Sequence, residues 1–178
     1  MNLFLSLSQN IRTRMRPVSQ SSLFSRLLPY LQEEGRLYRK ITHVFAKEAL
    51  GGEEIETSTS DGIETSNRAR KGDYLVKNKT GAGEMYIVPP EKFHKKYVFL
   101  QKAGDGFSEY RPTGQVIALE LTPSMLAELG LFAPFYFEAP WDEEMVAKLG
   151  DFLAVPVDRK EVYRIARKEF FETYEAED

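Results

Sequence analysis

The sequence predicts an α+β protein: two related small β-rich units, an internal duplication, with short helices and an N-terminal helix. Three observations lead there. Residues 69–97 carry Ala69, Gly72, Asp73, Tyr74, Leu75, Glu84, Tyr86, Phe93 and Tyr97. Residues 147–174 carry Ala147, Gly150, Asp151, Phe152, Leu153, Glu161, Tyr163, Phe170 and Tyr174 at the same spacing, but for one residue between the two halves of the pattern. A fixed pattern recurring within one chain marks a repeat. Turn residues also break the apolar stretches into short runs, as strands require, and helix-cap signals frame only short segments. The expected organisation is a basic helical segment over 1–35, a first repeat unit over 36–104 and a second over 105–178.

In chain order, residues 1–20 lack a period and Pro17 interrupts them, so they are expected to be dispensable for the fold. The first 32 residues hold Arg12, Arg14, Arg16 and Arg26, several serines and no acid. That is the composition of a mitochondrial presequence; a basic helix resting on the domain is the other reading. The expected location is cytoplasmic, or mitochondrial if residues 1–32 are a presequence. Ser22 is placed to cap a helix running to about Glu34, with Gly35 to stop it, and Pro29 inside it predicts a kink or a late start. Residues 38–46 read as a strand, because Tyr38-Arg39 matches Tyr110-Arg111 ahead of the strand signal at 115–121. Residues 51–62, rich in Gly, Ser, Thr and acid, read as a loop.

Gly72-Asp73 is a turn signal, followed by a strand from Tyr74, a hairpin turn over 78–83 and a return strand over 84–88. Pro90 suits the first turn of a helix at 90–97, where Phe93 and Tyr97 share one face. Residues 101–114 read as a linker. Thr122-Pro123 and Gly130 frame a helix with cap, first-turn proline and terminal glycine. An aromatic strand is expected over 132–138, and then a helical turn from Asp142 to Leu149. Over 158–174 the two kinds of signal conflict. The capping-box pair Asp158 and Glu161 favours one long helix, whereas the repeat favours a strand at 161–165 and a helix from about 167. The repeat takes precedence, because tertiary context overrides propensity.

The chemistry-bearing residues are sparse. The net charge is −3 and cysteine is absent, so disulfides and thiolate metal sites are excluded and nucleic acid is not an expected partner. His43 and His94 stand far apart, and neither a metal nor a cofactor is expected. No apolar run reaches the ~18 residues that a span needs. The candidate ligand-binding residues are Glu64, Asn67, Asp73, Glu84, Tyr86, Asp151 and Tyr163. Glu84 with Tyr86, and Glu161 with Tyr163, are two apart on a strand and so face one way. Asp73 and Asp151 could be a functional acid pair, but the favoured reading is that each satisfies backbone N–H groups in its turn, with Gly72 and Gly150 supplying an unusual φ. The Phe-x3-Tyr pairs read as core anchors, and Trp141 beside Pro140 as exposed.

Residues 61–67 (Asp-Gly-Ile-Glu-Thr-Ser-Asn), Lys71-Gly72-Asp73-Tyr74 and Glu84-Met85-Tyr86-Ile87-Val88 resemble the PGDYG-type proteins, with Lys71 at the proline position and Leu75 at the final glycine. Gly150-Asp151-Phe152 through Tyr174 also resembles small phage-encoded proteins with a related segment. The resemblance implies a small β-rich unit and carries no reaction. The repetition of structural residues, with no recognisable catalytic group pair, makes the expected function a non-catalytic binding or adaptor module for a protein or small molecule. The alternative is a small-ligand site or enzyme in a cleft between the two units, using Glu64, Asn67, Asp73 and Tyr86.

Overall fold

Turn residues and cross-strand pairing, more than helix propensity, set the element boundaries. The computed structural model describes residues 16–58, 64–79, 85–140 and 143–177. In chain order these form α1 (Gln20–Glu33), β1 (Arg36–Lys40), β2 (Val44–Glu48), β3 (Glu54–Ser58), β4 (Glu64–Arg68), β5 (Tyr74–Asn78) and β6 (Met85–Val88). Then come α2 (Pro90–Lys96), β7 (Tyr97–Gly104), β8 (Phe107–Pro112), β9 (Gln115–Glu120), α3 (Pro123–Leu129) and β10 (Phe135–Glu138). The chain ends through β11 (Glu144–Ala147), β12 (Phe152–Pro156), β13 (Tyr163–Ile165), α4 (Arg167–Thr173) and β14 (Tyr174–Ala176). The fold is mixed α+β and strand-rich. Two compact units are present, each drawn from separate stretches of chain: unit 1 from the chain up to Gly35 with Ile117–Arg167, and unit 2 from Arg36–Val116 with Lys168–Asp178.

In unit 1 the strands run in the order β13-β12-β9, beside a β10–β11 ladder. Leu23, Leu27 and Leu31 recur every four residues along α1 and are buried, as an amphipathic helix requires. They pack with Leu119 and Leu121, Met125, Leu126 and Leu129 of α3, Phe135 and Phe137 of β10, and Leu153 and Val155 of β12. The cap of α1 is Ser19, not Ser22: its hydroxyl accepts the Ser22 N–H at 3.2 Å. The helix also continues through Pro29. The stretch just before α1 is not loose, against the expectation for residues 1–20. Val18 bridges to Phe137, donating to Tyr136 O at 2.8 Å and accepting from Glu138 N–H at 2.9 Å. The Gln20 amide donates to Glu138 O (2.7 Å) and Val162 O (3.1 Å) and accepts the Val162 N–H. α3 is capped as read, with Thr122 Oγ1 accepting the Met125 N–H and Gly130 left-handed at φ 67°. Residues 144–147 form β11 rather than a helical turn, because pairing with β10 supplies their backbone bonds; Asp142 and Trp141 lie outside the described residues.

In unit 2 an antiparallel sheet runs β6-β5-β2-β8-β7. One face carries Val44, Ala46, Tyr74, Val76, Tyr86, Val88 and Tyr110, and is sealed by Phe93 of α2 and by Tyr97. Phe93 is fully buried, stacks on Tyr74 at 4.0 Å and meets the Tyr110 edge at 4.8 Å. β1 pairs with β14, and Lys40 N–H donates to Gly114 O just ahead of β9. Phe170 of α4 is likewise fully buried, meeting the Tyr38 edge at 4.8 Å and stacking on Tyr174.

Two segments read as irregular are strands. Residues 54–58 pair with 64–68 as a hairpin; their Glu, Thr and Ser content disguises a ladder whose apolar side is Ile55, packed beside Leu75. Residues 97–112 form the β7–β8 hairpin, turned by Asp105 (φ 54°) and Gly106 (φ 79°). Asp-Gly is a two-residue hairpin signature because both positions need positive φ. Over 161–174 a strand at 163–165 precedes α4, so no long helix forms.

The two Gly-Asp turns share one geometry. In unit 2, Gly72 has φ 92° and Asp73 Oδ2 accepts the Arg70 N–H at 2.8 Å. Ala49 N–H donates to Asp73 O, and Gly72 N–H to Ala49 O. In unit 1, Gly150 has φ 85° and Asp151 Oδ2 accepts the Lys148 N–H at 2.9 Å. Leu121 N–H donates to Asp151 O, and Gly150 N–H to Leu121 O.

Candidate functional site

Strand alternation gives the unit 2 sheet a second face. Cross-strand register sets Phe45 opposite Lys77 and Glu109, and Lys47 opposite Leu75. Period two then adds His43 on the β2 side, Lys79 after β5 and Phe107 on β8. At one end this face is apolar: Leu75, Met85 and Ile87 lie with Ile55 of β3. At the other end it is basic and aromatic. Lys47 Nζ and Lys77 Nζ stand 4.6 and 4.3 Å from the Phe107 ring centre, and Lys77 Nζ 5.8 Å from that of Phe45. These are cation–π distances.

The centre of the face is a buried carboxylate. Glu109 is 4% exposed. Its oxygens accept from Lys79 Nζ and Gln101 Nε2, each at 2.7 Å, and His43 Nδ1 lies 3.0 Å away. The hydrogen bond from Lys79, then those from Gln101 and His43, hold its carboxyl down to about 2. A carboxylate this weakly basic and this fully engaged is a poor proton acceptor at neutral pH. It ties together side chains of β7 and β8 with His43 just before β2 and Lys79 just after β5.

The positions that follow the same spacing in the other part of the chain have different chemistry. Phe45 and Lys47 correspond to Ile117 and Leu119, Lys77 and Lys79 to Val155 and Val157, and Glu109 to Leu37. In unit 1 Leu119 and Val155 lie under the buried leucines of α1. Leu119 and Val155 are thus apolar and covered, Leu37 and Val157 apolar and exposed, whereas Lys47, Lys77 and Lys79 are charged and keep contact with solvent.

The seven candidate residues do not form one cluster. Asn67 on β4 and Tyr86 on β6 meet at a cavity of about 340 Å3, lined also by Ile55, Arg68, Ile87 and Pro89. Burial, then a 3.5 Å contact with Tyr97 Oη, pushes the Tyr86 hydroxyl well above its usual range. Glu64 opens β4. Asp73 is not among the cavity's lining residues; its side chain closes its own turn. Asp151 and Tyr163 belong to unit 1. Asp151 is buried and accepts from Lys148 N–H and from Arg164 Nε at 2.7 Å. Tyr163 donates to Glu161, and burial and that carboxylate push its hydroxyl up to about 12. Glu84 lies outside the described residues.

None of the residues around Glu109 was singled out from the sequence. The available signal was a comparison of positions at matching spacing in the two parts of the sequence, which shows lysines in one where the other holds aliphatic residues. Among the described residues no helix is long and apolar enough to cross a membrane, and no group of three or more His, Asp or Glu is placed to hold a metal ion. No protein-family model, no curated protein and no solved structure matches the chain.

Proposed function

We propose that the chain is a non-catalytic binding module, built as an internal duplication of a PGDYG-type unit, whose first sheet holds an acidic segment of a partner protein on its basic, aromatic face. The observation that carries this reading is the lysine pair over Phe107, on the same sheet face as the buried Glu109 cluster. Lys47, Lys77 and Lys79 share this face with the buried Glu109, in a chain whose net charge is −3. The fold does not require them, since the counterpart positions are aliphatic. Rigid cations over an apolar floor suit a partner that combines carboxylates with aliphatic stems.

The duplication is supported by the shared turn geometry, the equivalent rings around Phe93 and Phe170, and the common register. Tyr97 faces Pro112 and Phe99 faces Tyr110 in one ladder; Tyr174 faces Lys40 and Ala176 faces Tyr38 in the other. On this reading the repeats start at β1 and β8, and each gives its first strand to the other's ladder. An experimental structure in which the two repeats differ in strand order would end this part of the proposal.

The binding reading is tested by fluorescence anisotropy with a labelled poly-glutamate peptide. Binding that weakens with salt is expected. Lys47→Gln with Lys77→Gln should weaken it about tenfold, as for the loss of one or two exposed charge pairs. No binding above a neutral control peptide, or unchanged binding by the double variant, refutes it. The cavity at Asn67 and Tyr86 favours a second reading, a small-ligand site. Fragment screening by NMR decides that one: amide shifts confined to residues 55, 67 and 87 support it, and none at saturating fragment rejects it.

A further inference from the structure

We infer that β7 is a pairing edge through which two copies of this chain associate, β7 against β7, antiparallel about a two-fold axis. β7 is the last strand of its sheet and has eight residues. Every residue after Tyr97 is exposed, including three consecutive large apolar side chains: Val98 (40%), Phe99 (53%) and Leu100 (42%). Exposed apolar edges of this length template strand addition.

The ladder shows which backbone groups are offered. Thr113 N–H donates to Lys96 O, so Lys96 with Thr113 is a bonded pair. The alternation of antiparallel ladders then makes Val98 with Arg111 a bonded pair and Phe99 with Tyr110 a non-bonded one. The N–H and C=O of Phe99 therefore point away from β8, at the middle of the apolar run.

The other ladder provides an internal control. Positions 98, 99 and 100 correspond to Glu175 and Ala176 of β14 and to Glu177 just after it. There Glu175 pairs with Arg39, and Glu177 accepts from the Gln115 amide. Two acids flanking a small residue guard that edge, since a like strand would face them with like charge. On β7 both acids are replaced by apolar residues, so the fold does not demand the exposed run.

A second copy is the occupant that fits. Between Tyr97 and Gln101 there is no charged residue, so no like charges face one another within that central stretch. With the axis at Phe99, the two Phe99 residues exchange both backbone bonds. Val98 of each copy then faces Leu100 of the other, an isologous contact of the kind that closes dimers.

Sedimentation velocity of the full chain over a wide concentration range tests the inference. The wild-type mass should double from 20.4 kDa. Val98→Glu with Leu100→Glu, which installs the pattern of the guarded edge, should remain at monomer mass. Its thermal midpoint, extrapolated to low concentration, should match that of the wild type, showing that the fold survives. A wild-type chain that stays monomeric throughout overturns the inference, whether or not another protein's strand binds there. So does a folded double variant that still dimerises.

Discussion

Removing the ring of Phe93 tests the central packing claim most directly. Phe93 is fully buried, with Tyr74 parallel at 4.0 Å, Tyr97 at 5.1 Å and Tyr110 edge-on at 4.8 Å. Phe93→Ala loses the transfer of a phenyl ring from water, about 1.5–3 kcal/mol. Each aromatic pair adds about 0.5–1.5 kcal/mol, and the cavity left beneath α2 adds more, because the sheet cannot collapse into it. The expected total is about 3–5 kcal/mol, a large share of the ~5–15 kcal/mol that holds an ordinary domain together. Phe170→Ala should cost a similar amount, since Tyr38, Tyr174 and Phe171 surround that ring at 4.8, 5.4 and 5.5 Å. Urea titration followed by far-UV circular dichroism measures both, read as midpoint shifts at constant slope. Phe132→Ala is the control: that ring is 79% exposed, and its loss should move stability by no more than about 0.5 kcal/mol. A cost below about 1 kcal/mol for either buried phenylalanine, the range of surface positions, would refute the core reading and make these rings interface candidates.

Three further outcomes follow from named contacts. Asp151→Asn should destabilise more than Asp73→Asn, by about 1–3 kcal/mol, because only Asp151 is buried and compensates an arginine, Arg164; equal urea midpoints would contradict this. Gln20→Ala removes three bonds to the backbone of residues 138 and 162 and should cost about 1–3 kcal/mol, measurable by the same titration; a change of a few tenths would show that residue 20 is as dispensable as its sequence implies. Glu109 has a folded-state pKa depressed from 4.5 to about 2, so its contribution is complete above about 4.5 and is lost as pH falls through about 2. Glu109→Gln should therefore lower the thermal midpoint at pH 7 and flatten the acid limb between those values; a limb parallel to that of the wild type would contradict the prediction.

Signals carried within a few residues were legible in the sequence. Thr122, Pro123 and Gly130 frame α3 because cap, first-turn proline and left-handed glycine act through the local backbone. Gly72-Asp73 and Gly150-Asp151 make the turns that their residue types demand; the rings of Phe93 with Tyr97 and of Phe170 with Tyr174 do meet, although Tyr97 and Tyr174 open β7 and β14 rather than sharing a helix face with the phenylalanines. The repeat also decided correctly against a long helix at 159–174, since it reports the tertiary setting of a segment that propensity alone misassigns. Asp105-Gly106 was equally local, yet its hairpin went unread among glycines and prolines that looked like a linker.

Strand partnership was decided only by the tertiary structure. β3 and β4 are too polar to announce themselves, and β11 is a strand because β10 lies beside it. Ser19 rather than Ser22 caps α1 because Val18 is held by the backbone of residues 136 and 138. The Glu109 cluster draws on residues 43, 79, 101 and 109, which follow no common spacing and meet only through the register of β5, β2, β8 and β7. The sequence by itself determined the strand-rich α+β class, the two turns and the buried aromatic anchors, because each rests on backbone geometry or side-chain period. Which faces are covered, which edge is left open and which charges are gathered depend on pairings across tens of residues, and only the folded chain decides those.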